Sequence, residues 1–96
     1  MAAHVLAIDV QLLVPTSGSL KDKRAVVKSL LEAARHRYGV AAAEVEHQDT
    51  WQRAGVCFAA VAGSASHVED VIAEVERFVW SHPELEVLSV ERRWLE

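Results

Sequence analysis

The stretch VAAAEVEHQDTWQRAGVCFAAVA, residues 40–62, decides how this chain folds. Its two flanks are short runs of small, β-branched and aromatic residues, while its centre is polar. Residues 40–47 and 53–62 therefore read as strands, and Gln48-Asp49-Thr50-Trp51 as the four-residue loop that reverses the chain. In the register this loop implies, His47 opposes Gln52, Glu46 lies opposite Arg53 and Val45 opposite Ala54. An opposite-charge cross-strand pair contributes ~0.2–1 kcal/mol. The same register turns Ala41, Ala43 and Val45, with Val56, Phe58 and Ala60, toward a core. Glu44 and Glu46 then share the other face, with His47 turned away from them.

Working outward from the hairpin, each side carries a helix and then a strand. Upstream, residues 4–14 (HVLAIDVQLLV) alternate, with Leu6, Ile8, Val10 and Leu12 on one fully apolar face. Pro15 to Gly18 ends this strand. Ser19 opens a helix, with Asp22 three residues on, and Leu20, Val27, Leu30, Leu31, Ala34 and Tyr38 form its apolar stripe. Gly39 terminates it. Downstream, Ser66-x-x-Glu69 reads as a capping box, followed by a stripe of Val68, Val71, Ile72, Val75, Phe78 and Val79. His82-Pro83 stops that helix. In residues 85–95, Leu88, Val90 and Trp94 alternate with Val87, Ser89 and Glu91. The order β-α-β-β-α-β predicts one α+β domain over residues 1–96. Its expected architecture is a ferredoxin-like sandwich, a four-stranded antiparallel sheet with both helices on one face.

The totals narrow the function. No apolar run is long enough to span a bilayer, and the N-terminus lacks the pattern of a secretory signal, so a cytoplasmic protein without a membrane partner is expected. The lone Cys57 lies in the apolar run GVCFAAVAG and reads as a small buried hydrophobe. The net charge of −4 is unevenly spread: residues 1–39 carry six Lys/Arg against three acids, and residues 40–96 carry four against eleven. A local basic patch is therefore compatible with an acidic protein.

Candidate sites follow from these patterns. His47, Asp49, Glu44 and Glu46 fall within six residues, but strand alternation keeps them from converging, so neither a metal nor another cofactor is expected. The four glycines are scattered, and neither a nucleophile elbow nor a phosphate loop is present, so no catalytic residue is assigned and an enzyme is not expected. An enzyme using His47 and Asp49 with a metal or small ligand is the minor alternative. Lys21, Arg24, Lys28 and Arg35 form a strip along the first helix, with Lys23 and Arg37 across the apolar stripe. Lys21, Lys23, Arg24, Lys28 and Arg35 are the candidates for contact with nucleic-acid phosphates. The alternative for these side chains is a solvated rim. The open sheet face offers small apolar residues without aromatic platforms, which favours a protein partner or a homodimer there over RNA readout. His47, Asp49, Trp51 and Arg53 at the hairpin, and Trp80 on the polar side of the second helix, are candidates for a partner or ligand surface.

Three segments carry a resemblance: SLKDKRAVVKSLL (19–31), AEVEHQDTWQRAGV (43–56) and LSVERRWL (88–95). In order and nearly end to end, they resemble the bacterial domain-of-unknown-function family 503, the YlxP-like family. Members usually have Asp where this chain has Glu46, and Glu where it has Asp22. The resemblance implies a cytoplasmic ferredoxin-like domain without an established enzyme activity. It also implies a setting near translation, since relatives are often encoded beside translation-initiation and ribosome-maturation factors. Ribosomal RNA and ribosome-assembly components are the partners this suggests.

Overall fold

A computed structural model describes residues 2–96 of the chain. The elements run β1 (His4–Leu13), α1 (Leu20–Tyr38), β2 (Ala41–Glu46), β3 (Arg53–Ala62), α2 (Ala65–Trp80) and β4 (Glu86–Trp94). The strands form one antiparallel sheet in the order β2-β3-β1-β4, the ferredoxin-like topology expected from the sequence. Leu6, Ile8, Val10 and Leu12 of β1 meet Ala54, Val56, Phe58 and Ala60 of β3 and the helices in a single cluster of buried side chains. Burying each of the larger aliphatic or aromatic residues is worth ~1.5–3 kcal/mol, so this alternation is what holds the sheet to the helical layer.

The helix ends show how local chemistry sets the boundaries. At α1, Ser19 Oγ accepts the Asp22 amide at 3.1 Å, as its capping pattern predicts. At the other end Gly39 takes the left-handed conformation (φ 67°) and its N–H donates to the Arg35 carbonyl at 3.0 Å. The start of α2 differs from expectation. Ser64, not Ser66, is the N-cap, accepting the His67 amide at 3.4 Å, so the helix begins at Ala65. Two serines spaced by one residue compete for one capping role, and the hydroxyl of Ser66 instead bonds that of Ser64 at 3.0 Å.

The hairpin register also departs from the sequence reading. Positions 48–51 lie outside any strand, as expected, but the whole connection runs from His47 to Gln52. Ala42 sits opposite Phe58 and Glu44 opposite Val56, one step from the anticipated pairing. A slip of one residue exchanges the two faces of a strand. Ala42 and Glu44 therefore face the helices, while Ala41 and Ala43 are exposed on the open side. An irregularity between Glu44 and Glu46 then puts Glu46 opposite Gly55, on the open face. A second irregularity opposite Gln11/Leu12 shifts β4, so that Val87 and Val90, rather than Leu88 and Val90, pack on the core. Leu88 is left exposed. Both outer strands are thus bent by bulges, which blunts edges that could otherwise recruit another strand.

Candidate functional site: the hairpin and the cationic flank of α1

The hairpin is fixed to α1 by a buried lysine. Lys23 lies four residues before Val27 and seven before Leu30, on the same buried stripe of the helix. Its side chain is 0% exposed. The Nζ group donates to Glu44 Oε2 at 2.7 Å, to the His47 carbonyl at 2.8 Å and to the Gln48 carbonyl at 3.4 Å. An ammonium has three protons, and three acceptors meet it. The sequence-based assignment of Lys23 to a nucleic-acid surface is therefore corrected. Its charge is spent inside the protein, because the slipped register of β2 brings the Glu44 carboxylate under the helix.

This clamp accounts for the unusual backbone of the turn. His47 has φ 60°, a left-handed conformation that non-glycine residues adopt uncommonly. The Thr50 amide closes the turn by donating to the His47 carbonyl at 3.0 Å. That carbonyl also accepts from Lys23, and the Gln48 carbonyl beside it does the same. Strain of ~1–3 kcal/mol at a positive φ persists only where surrounding contacts over-determine it, and Lys23 supplies such contacts.

On the open side of the sheet, the hairpin is braced by a chain of polar contacts. Gln11 Nε2 donates to Glu46 Oε1 at 2.9 Å, and Arg53 Nη2 donates to Gln11 Oε1 at 3.4 Å. Arg53 Nη2 also approaches His47 Nε2 at 3.5 Å. Gly55 makes this bracing sterically feasible. A Cβ there would stand 2.8 Å from Glu46 Cβ and 3.0 Å from Gln11 Nε2. Asp49 and Trp51 are exposed beyond the brace, Trp51 at 47%. Among the described residues no group of three or more His, Cys, Asp or Glu side chains comes together in a way that could hold a metal ion. Glu44 and Glu46 end on opposite faces of the sheet, which separates the very cluster that looked suggestive in the sequence.

The cations of α1 divide by face. Lys21, Arg24, Lys28 and Arg35 are exposed. Arg24, Lys28 and Arg35 line one open groove of about 370 Å³ between α1 and β2, with Gln48 and Glu44 on its far wall. The Lys28–Glu32 pair across one helical turn is long (3.9 Å) and solvated, so it holds Lys28 only loosely. Arg35 Nη2 donates to the Ala42 carbonyl at 2.5 Å, covering part of the β2 edge. Glu44 lends little free negative charge to this groove, since Lys23 already pairs with it.

Elsewhere on the open face, Asp9 pairs with Arg93 at 2.5 Å. That hydrogen bond lowers the Asp9 carboxyl below its ordinary 3.8, against a smaller upward push from burial. Cys57 is half-buried beside Asp9, and burial first, then the neighbouring carboxylate, raise its thiol above the usual value. A thiol held protonated is a poor nucleophile. Trp80, 58% exposed, belongs to a separate groove between α2 and β4 and does not join the hairpin residues.

A family model described as "Protein of unknown function (DUF503)" matches residues 5–92. The chain belongs to this family. It is also 38% identical, over 78 residues, to the "Uncharacterized protein YlxP" of Bacillus subtilis (strain 168), a match covering 81% of this chain and 85% of that relative. The matched span takes in α1, the hairpin and all but the last residues of β4, and so includes the Lys23–Glu44 clamp and the cationic groove.

Sequence reasoning missed Glu44 as a partner for Lys23, and Gln11 as the brace for Glu46. One signal for the first was legible: Lys23 falls on the 23-27-30-34 spacing of the buried stripe. No comparable pattern marks Gln11.

Proposed function

We propose that this chain is a small cytoplasmic, non-enzymatic binding module whose α1–β2 groove engages ribosomal RNA or an RNA-bearing ribosome-assembly intermediate. The observation that carries this reading is the alignment of Arg24, Lys28 and Arg35 along one open groove, with Lys21 exposed on the same helix. The buried Lys23–Glu44 pair helps by neutralising one of the two carboxylates that line the groove, the other being Glu32, loosely paired with Lys28. The open sheet face is a weaker platform for RNA. Its centre holds Ala7, Ala59 and Cys57 without an aromatic side chain, and its polar groups are already bridged by Asp9–Arg93 and Gln11–Glu46. Chain regions outside α1 are net acidic, which favours this flank for phosphate contact.

Three or four phosphate contacts imply that log K falls with log salt at a slope of about −2 to −3 on single-stranded RNA. The test measures affinity for ribosomal RNA fragments across a salt series, for the parent and for Arg24→Glu/Lys28→Glu. A salt-dependent affinity that the double reversal abolishes is the expected result. Binding that is insensitive to salt, or unchanged by the reversal, sinks the reading. Arg77→Glu, on α2 outside this groove, serves as a single charge-reversal control that keeps full RNA affinity.

A further inference from the structure

We propose that the groove between α2 and β4 is a self-association surface, in which α2 of a second copy of this chain packs antiparallel to α2 about a two-fold axis near Ala73. This surface is separate from the α1 groove, and the helical layer covers the sheet incompletely there. α2 lies over β3 and β1 and touches β4 only at its margin, while α1 packs against β2. Beyond Val87 and Val90, which pack on the core, the helix-facing side of β4 is consequently left open toward its C-terminal end. Arg92 and Trp94 sit opposite Ile8 and Leu6, whose side chains are fully buried, yet Trp94 remains 50% exposed. Trp80 faces the same gap at 58% exposure. Beside Trp80 runs an open groove of about 570 Å³, with Ala73, Arg77, Trp80 and Arg92 in its lining.

The pattern along α2 selects the occupant. Helical spacing puts Ser66, Glu69, Asp70, Ala73, Arg77 and Trp80 on one stripe, turned away from the buried Val68, Ile72, Val75 and Val79. Along that stripe the acids Glu69 and Asp70 come first, the small Ala73 stands at the middle, and Arg77 and Trp80 come last. Reversing the helix about Ala73 lays Glu69 against Arg77 of the second copy, with Asp70 one residue further along, and Trp80 covers the turn at Ser66. Such self-complementarity is what an isologous two-fold interface requires, and each contact then occurs twice. Among the described residues Glu69, Asp70 and Arg77 have no ion-pair partner within the chain, whereas Glu76 is held by Arg92 at 3.4 Å. Ala73 at the crossing point permits the close approach of two helix axes, about 8–10 Å. An exposed tryptophan beside an arginine is also the kind of side-chain pair that concentrates binding energy at protein interfaces. A polyanion fits this stripe poorly, because Glu69 and Asp70 lie along it.

Sedimentation of the full chain, at concentrations up to about 1 mM, tests the proposal. A reversible monomer–dimer equilibrium is expected. Trp80→Ala should raise the dimer Kd about a hundredfold or more, since the symmetric interface loses two anchors. Arg77→Glu should raise it about tenfold, and adding Glu69→Arg and Asp70→Arg to that variant should recover most of the loss. All four positions are exposed, so circular dichroism confirms that each variant keeps the parent's fold. A chain that stays monomeric throughout overturns the proposal. So does a dimer that ignores Trp80 and Arg77, or one broken instead by Ala59→Arg on the open sheet face. Failure of the triple variant to recover association refutes the antiparallel arrangement.

Discussion

Replacing Lys23 by methionine isolates the contribution of the buried clamp. Methionine keeps most of the aliphatic volume on the α1 stripe while removing the charge and all three donated hydrogen bonds. Removing one member of a buried ion pair costs ~3–5 kcal/mol, because the other charge is left uncompensated. Here the Glu44 side chain keeps 15% exposure, so water can reach part of it, and the lower end of that range, about 3 kcal/mol, is expected. For a domain of this size that corresponds to a fall in melting temperature of roughly 12–24 °C. The paired variant Lys23→Met/Glu44→Leu should recover much of the loss, since an apolar pair carries no unmatched charge. Recovery stays incomplete, because the His47 and Gln48 carbonyls lose a donor at ~0.5–1.5 kcal/mol each. Urea unfolding of the parent, the two single variants and the pair closes a double-mutant cycle, and hydrogen exchange over 47–52 reports on the turn itself. A Lys23→Met variant within about 1 kcal/mol of the parent would show that water solvates this ammonium in solution, contrary to the buried geometry. Additive single losses would show that Glu44 is not its partner.

Gly55→Ala should destabilise the protein by ~1–3 kcal/mol, because the new methyl meets Glu46 Cβ at 2.8 Å and the bulged backbone must shift; urea unfolding measures it, and a neutral substitution would mean the hairpin brace is loose. Gly39→Ala meets no neighbouring atom, so only the left-handed φ opposes it, and a smaller loss of about 1 kcal/mol is expected in the same assay. Asp9 has a folded-state pKa below its ordinary 3.8, so its stabilising contribution is complete above that value and is lost as pH falls through the lower folded value. Arg93→Gln should therefore move the Asp9 titration upward by NMR and shrink this acid-limb dependence of stability. Asp9→Asn should speed alkylation of Cys57 by iodoacetamide near neutral pH, since it removes a carboxylate that keeps the thiol protonated; an unchanged rate would assign the raised thiol pKa to burial alone.

The sequence by itself determined whatever depends on neighbours along the chain. The alternation of β1 and β3, the stripes of the two helices, the Ser19 cap and the Gly39 terminator were all legible, because periodicity and end chemistry operate within a few residues. Element order then left few topologies, and the observed sheet is the simplest of them. Tertiary structure decided what depends on two distant segments meeting. Turn composition alone placed the reversal at 48–51 but missed the pairing by one step, since the register is also set by Glu44 reaching under α1 to Lys23, twenty-one residues upstream. The same meeting turned a lysine that reads as solvated into a fully buried one, and separated two glutamates that read as neighbours onto opposite faces. Local pattern can say that a charge lies on a buried stripe; only the arrival of an opposite charge from elsewhere in the fold makes its burial tolerable.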